Sequence, residues 1–221
     1  MPVGIEAWVA QIPPITRGWL ALSVLTSLAV QCQLVTPLQL YFSPKSFLNG
    51  QPWRAGTTFF YFGPISLDFV FHLFLLVRRS RLLLPCHVFI VSIFSVSMRY
   101  SRMLEESSFP NQKANYFWLL LLSSMMLLAL SPLFNLPFLS SSLAFVPIYL
   151  WSRRHPLHPH LPLRPHHHHR TLPSHRARDL VGCAVGHVGW FLRDVWTREM
   201  LGGPTVFSDA PVRLKRMFGD E

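Results

Sequence analysis

A chain of 221 residues makes one domain or two small ones, yet half of it is hydrophobic, 14% is charged, and the net charge is +10. Soluble domains carry about 25% charged residues. That shortfall, with 18 phenylalanines and a mean hydropathy of +0.30, excludes both an ordinary water-soluble globule and a disordered chain. The basic excess raises nucleic acid as a partner, but the basic residues do not share a face with aromatics that could stack bases. They sit in short clusters between long uncharged stretches. That is the distribution of a polytopic membrane protein whose basic loops select the cytosolic side.

The predicted elements follow in chain order. A polar lead, residues 1–17, precedes an uncharged run whose part 18–35 is long enough to cross a bilayer at roughly 20 residues per span. No basic n-region precedes it and no clean cleavage site follows, so an uncleaved helix is expected rather than a signal peptide. Pro37, Pro44, Gly50, Pro52 and Gly56 punctuate a loop with few charges, Lys45 and Arg54. A second apolar stretch, 57–77, ends on the basic run Arg78-Arg79-Ser80-Arg81. Residues 82–98 are apolar but short, with Pro85 and His87 inside. An uncharged run from Ala114 is divided at Ser131-Pro132 and Asn135–Pro137 into helices expected at 114–130 and 137–151, closed by Arg153-Arg154. Residues 155–178 hold eight of the eleven histidines, five prolines and four arginines. That composition forbids a helix in lipid. A last helix is expected at 179–196, before a polar tail. Cys32, Cys86 and Cys183 lie in apolar stretches, and an odd count without paired spacing gives neither a disulfide framework nor a zinc site.

Charge placement sets a topology. With the N-terminus cytosolic and 82–98 not spanning, the clusters at 78–81, 99–113 and 153–178 all fall on the cytosolic side, and the loops at 36–56 and 131–137 fall on the other.

Several motifs carry a family resemblance. They are Trp53-Arg54, Thr57–Gly63 (TTFFYFG), Leu67–His72 (LDFVFH), Arg99–Glu106 (RYSRMLEE), Trp151–Pro156 (WSRRHP) and Gly182–His187 (GCAVGH). Together they resemble the Derlins, rhomboid-like pseudoproteases of endoplasmic-reticulum-associated degradation, in a fungal-type version. The resemblance spans about 15–78, 99–156 and 179–218. It implies an all-α polytopic membrane protein with a rhomboid-like helical bundle in the endoplasmic reticulum membrane. The implied role is non-enzymatic, without a cofactor: assisting retrotranslocation of misfolded proteins to the cytosol. The implied partners are misfolded protein substrates, a membrane ubiquitin ligase complex, a cytosolic AAA+ ATPase, membrane lipids, and further copies or relatives in a homo- or hetero-oligomer. Two departures stand out. The pattern reaches Arg78 and resumes at Arg99, so 79–98 is expected to be an inserted segment of the length of a short retained intron. The family's fifth transmembrane helix has no counterpart, and the aberrant His/Pro/Arg-rich segment 157–178 takes its place. The last helix would then start from the cytosol and run against its usual direction. An active rhomboid-type serine protease and a small transporter or channel component are the rival classes.

The candidate functional residues follow from these motifs. Trp53 and Arg54 suit a membrane interface, where Trp anchors and Arg snorkels; the resemblance gives them a lumenal loop that perturbs lipid packing. Asp68 and His72 are four apart on one face of a span, where an ionisable pair is costly, and an intrahelical hydrogen bond is the favoured account. Gly182, Gly186 and Gly189 form a small-residue surface for close helix approach. His187 sits where rhomboid proteases carry their catalytic histidine. Ser140, Ser141 and Ser142 on the preceding helix lack the flanking glycines of an activated nucleophile, so His187 is expected to be structural. Arg99, Arg102, Glu105 and Glu106 read equally as a solvated, salt-bridged turn at the membrane surface and, by the resemblance, as the cytosolic approach to the third helix. The histidines of the 155–178 tract offer weak metal ligands without a carboxylate shell. The tail, with Arg213, Lys215 and Arg216, lacks the leucine-ended box with which some Derlin tails recruit an AAA+ ATPase.

Overall fold

The computed structural model describes residues 11–63, 86–134, 136, 138–155, 173–199 and 209–220, and among these every regular element is helical. Six helices matter: α1 (Pro14–Gln31), α2 (Cys86–Met103), α3 (Lys113–Phe134), α4 (Ser140–Arg154), α5 (Pro173–Trp190) and α6 (Val212–Phe218). Three short helices, Pro37–Leu40, Pro44–Leu48 and Trp53–Thr57, fold the first loop. α4 is central, packing on α5, α2 and α3, while α1 lies on α2 and α6 lies on α3. One apolar cluster joins them through Trp19, Phe62, Phe94, Leu104, Tyr116 and Val185.

Beside the large apolar residues of α3 and α4, such as Leu119, Leu127, Leu143 and Leu150, the packed faces hold many small hydroxyl residues. The inward residues of α1 are Thr16, Trp19, Ser23 and Ser27, while Leu22, Leu25 and Leu28 are 50%, 66% and 48% exposed. In α3 the buried stripe includes Asn115, Ser123 and Ser131, with Met125, Leu133 and Phe134 outward. Ser97 and Ser101 of α2 are buried as well. Small hydroxyl residues let helices approach closely, as they do at helix contacts in lipid. An apolar outer face of this extent is not stable against water. α3, 22 residues with mean hydropathy 2.0 in its most apolar window, is the one helix among the described residues long and apolar enough to cross a membrane.

Several elements depart from the expected boundaries. α1 begins at Pro14, because Pro suits the first helical turn, where its missing N–H costs nothing. α3 continues through Ser131-Pro132 to Phe134. Pro132 lies in the last turn of the helix. There the Ser131 hydroxyl donates to the Leu136 carbonyl (3.2 Å), and the Leu136 N–H donates to the Ser131 carbonyl (3.3 Å). RYSRMLEE is not a turn. It completes α2 and runs into a π-helical segment, Leu104–Ser108. The expected 79–98 boundary falls inside α2, which is continuous from Cys86 to Met103. Asp68, His72 and residues 156–172 of the His-rich tract, where the family's fifth helix is expected to be missing, lie outside the described residues, whereas 173–178, expected in the aberrant segment, are the first turns of α5.

α4 and α5 run in the same direction. The Ser142 hydroxyl donates to the Arg178 carbonyl (3.0 Å) at one end, and Arg154 pairs with Asp194 (2.7 Å) at the other. Between these ends, Gly182 and Gly186 face Ser142 and Tyr149. Arg178 therefore lies at the end opposite Arg153-Arg154, whereas the charge reading put both on one side. The glycine face explains the close parallel fit. A Cβ on Gly182 would run into the Ser142 carbonyl oxygen and lie 3.0 Å from the Phe145 Cβ; on Gly186 it would lie 3.1 Å from the Tyr149 Cβ. At Gly189 the nearest atom, Leu119 Cδ1, is 3.7 Å away, an ordinary contact. Gly182→Ala should therefore cost about 1–3 kcal/mol through overpacking. Gly189→Ala should be neutral, or stabilising by up to about 1 kcal/mol from helix propensity. Thermal unfolding of the purified protein in detergent separates the two.

Candidate functional site

The N-terminus of α1 is the first thing the site must hold. A helix start leaves backbone donors without intrahelical partners. Pro14 has none to leave, and Arg17 N–H reaches the Pro13 carbonyl (2.8 Å). Ile15 and Thr16 donate their N–H groups to the two carboxylate oxygens of Glu105 (3.1 Å each), and the Thr16 hydroxyl adds a third bond (2.9 Å). The carboxylate also faces the positive end of the helix dipole. From Thr16 the chain of contacts continues to the Ser101 hydroxyl (2.9 Å) and on to Tyr116 Oη (2.6 Å). α1, α2 and α3 are joined through one buried polar network. Glu105, expected in a solvated turn, is 4% exposed, because the π-helical segment turns it inward while Glu106 stays outside to pair with Arg102 (2.8 Å).

The same end gathers a second cluster. Arg154 makes a two-pronged pair with Asp194 (2.7 and 2.8 Å) and lies over the Phe109 ring, which Arg193 also covers at 4.4 Å. Arg193 and Asp194 belong to a second π-helical segment, Phe191–Val195. The tail folds back here. Asp220 accepts the Ala114 N–H (2.5 Å) at the start of α3, Asn115 Oδ1 accepts the Ala210 N–H (2.8 Å), and Phe218 packs on Phe117. The tail described as polar from composition is a docked strap over residues 209–220. Thr16, Ser101, Tyr116 and Asp220 were not singled out from sequence, since each becomes a partner only through the fold.

At the opposite end, Trp53 is 59% exposed on the short helix Trp53–Thr57. Arg54 turns back under the loop, donating to the Leu38 carbonyl (3.4 Å) and the Ser46 hydroxyl (3.5 Å), so it ties the other two short helices to its own. Trp53 can meet an interface while Arg54 orders the loop.

His187 and the three serines do not meet. His187 Nδ1 shares a 2.6 Å hydrogen bond with Tyr149 Oη and packs beside Trp190. The Ser140 hydroxyl donates to the Tyr61 carbonyl (2.7 Å), and that of Ser142 to Arg178. Ser141 Oγ is buried without a hydrogen-bond partner among the described residues. Ser142 is level with Gly182, and His187 lies about 7.5 Å further along α5 at 1.5 Å per residue. A nucleophile and its base need hydrogen-bond reach, and this arrangement gives the hydroxyls of Ser140 and Ser142 other tasks. No group of three or more His, Cys, Asp or Glu side chains comes together as a metal site among the described residues.

Glu105→Ala should leave two backbone donors and a buried hydroxyl short of an acceptor, costing about 1–3 kcal/mol. Glu105→Gln, which keeps one carbonyl acceptor, should lose less. Arg102→Ala, which breaks only an exposed i,i+4 pair, should cost under about 0.5 kcal/mol. Circular dichroism melts of the three variants give the ranking.

The comparisons with known proteins agree with this architecture. The sequence model of the Der1-like family matches residues 12–89 and 85–162. "Derlin-2.1" of Zea mays is 31% identical, with 100% of this chain and 89% of the maize protein aligned. A "probable derlin-2 homolog" of Dictyostelium discoideum is 31% identical over 86% of this chain and 75% of its own length. A derlin-like protein of Schizosaccharomyces pombe is 32% identical over 70% of each chain. A family match over more than half of the chain and relatives aligned along nearly all of it leave one conclusion: the chain belongs to the Der1-like family, the Derlins.

Proposed function

We propose that this Derlin is a multi-pass protein of the endoplasmic reticulum membrane, built as a rhomboid-like bundle, that assists the retrotranslocation of misfolded proteins to the cytosol for ubiquitin-dependent degradation. The role is non-covalent. The single observation that carries the membrane reading is the inverted polarity of α1, with Thr16, Ser23 and Ser27 inward and Leu22, Leu25 and Leu28 outward. Hydroxyls between helices and leucines outside are the arrangement lipid favours. Family membership supplies the degradation role. Misfolded clients, a membrane ubiquitin ligase complex and a cytosolic AAA+ ATPase are the partners this reading calls for, with lipids around the bundle and copies or relatives beside it.

The non-enzymatic part of the reading draws support from the hydroxyls and His187. The hydroxyls of Ser140 and Ser142 are donated to carbonyls, and His187 is held by Tyr149. In the first loop, Trp53 and Arg54 serve the lumenal interface, where an ordered loop can disturb lipid packing. Residues 79–98 are read as extra sequence relative to the family, because the motifs stop at Arg78 and resume at Arg99. Residues 157–178 are read as a second aberrant segment in place of the fifth helix. Sequencing the transcript across both tests these two readings, and a main message encoding both segments overturns them.

The function is tested in cells that lack their own Derlin. Expression of this chain should restore turnover of a misfolded lumenal client, and the protein should stay with membranes through alkaline carbonate. His187→Ala should leave client half-life unchanged, and a fluorophosphonate should label no serine. Release by carbonate would defeat the membrane reading; unchanged client half-life on expression would defeat the degradation role; a labelled serine with loss of turnover in His187→Ala would favour the protease.

A further inference from the structure

A groove of about 560 Å³ runs along the outer flank of α1 and α3. Its walls include Pro14, Gly18, Trp19 and Leu22 on one side and Phe117 to Leu128 on the other, with Gly56 and Phe59 at the far end and Phe218 at the near end. At 1.5 Å per residue it is roughly 12–17 Å long, parallel to the helices. Its lining is almost wholly apolar. The one lining hydroxyl, Ser124, is already donated to the Leu120 carbonyl (2.7 Å).

Three features show what the groove is shaped for. First, two glycines line it without a packing reason. A Cβ on Gly18 or Gly56 would meet nothing within 4 Å, and neither residue has a positive φ. Glycine in a helix costs about 0.5–1 kcal/mol against alanine, so these positions give up stability and keep space open. Second, Trp19 lines the groove with its ring while its indole N–H is shut away from it, so the wall it offers is apolar. An apolar wall suits an acyl chain. Third, the near end is basic. Arg17 is exposed beside Gly18, Lys113 lies one turn above Phe117, and Arg213 is exposed on the α6 strap that carries Phe218. The carboxylates there are committed: Glu105 to Ile15 and Thr16, Asp220 to Ala114, and Asp209 to Lys215 (3.6 Å).

We infer that this groove is a binding site for one anionic phospholipid. An acyl chain lies between α1 and α3 against Gly18, Gly56 and the Trp19 ring, and the phosphate meets Arg17 and Lys113. The site goes beyond the degradation role and depends only on the chain being embedded in a membrane, which carbonate extraction tests separately.

The test uses the full chain in nanodiscs containing a phosphatidylserine whose acyl chain carries a diazirine, with the matching phosphatidylcholine as comparison. Photolabel should concentrate on peptides covering 14–22 and 117–128, and phosphatidylserine should be preferred. Gly18→Leu, which grows into open space, should keep or raise the unfolding midpoint and abolish the label there. Arg17→Gln should lower the preference for phosphatidylserine about fivefold. Labelling spread evenly over the apolar flank, or unchanged by Gly18→Leu, overturns the site. Equal labelling by both lipids overturns the anionic assignment. Displacement of the label by an apolar helical peptide, with no headgroup preference, assigns the groove to a protein segment instead.

Discussion

The start of α1 must be satisfied from outside the helix, and the chain does this with one buried carboxylate. Glu105 accepts three hydrogen bonds from Ile15 and Thr16 and thereby fixes where the first helix lies against the second. A carboxylate withdrawn from water is costly unless its lone pairs are met. Here the donors are two backbone amides at a helix N-terminus and a hydroxyl. The arrangement constrains everything nearby. Leu104–Ser108 has to adopt π-helical geometry to bring Glu105 inward while Glu106 remains outside, and Ser101 and Tyr116 extend the contact to α3.

A second constraint works at the far side of the bundle, where α4 and α5 run parallel. Parallel neighbours in a helical bundle need a long return connection, and the residues between His155 and Pro173 join opposite ends of the pair. Two close approaches at Gly182 and Gly186 and the Arg154–Asp194 pair lock this register. The same contacts bring His187 to Tyr149 and leave Ser142 level with Gly182. Among the described residues, the Ser142 hydroxyl is donated to the Arg178 carbonyl and His187 is held by Tyr149.

These constraints act on a surface that is inverted relative to a soluble protein. Threonine and serines lie between helices, and leucines point outward along α1. The groove between α1 and α3 continues that apolar flank, and its open glycines and basic rim set it apart from plain lipid-facing surface. The docked strap of residues 209–220 closes the near end of that place with Phe218.

The sequence by itself determined the class of the protein. The shortage of charge, the uncharged runs and the clustered arginines read as membrane helices because a bilayer excludes charge from long segments. The motifs around Trp53-Arg54, RYSRMLEE and GCAVGH carried the family, and the glycines of that last motif pointed to close helix contact. The tertiary structure decided which polar residues are inside. Glu105 and Glu106 are adjacent and chemically alike, and only a helical segment's rotation against α1 makes one a buried cap and the other a surface partner of Arg102. Asp220 reads as tail until it meets Ala114, and Pro132 reads as a helix stop until it falls in the last turn of α3. Periodicity and composition are local quantities, whereas the cap, the docked strap and the parallel helix pair are tied by hydrogen bonds between residues 36 to 106 positions apart. That separation in the chain is why those features came only with the fold.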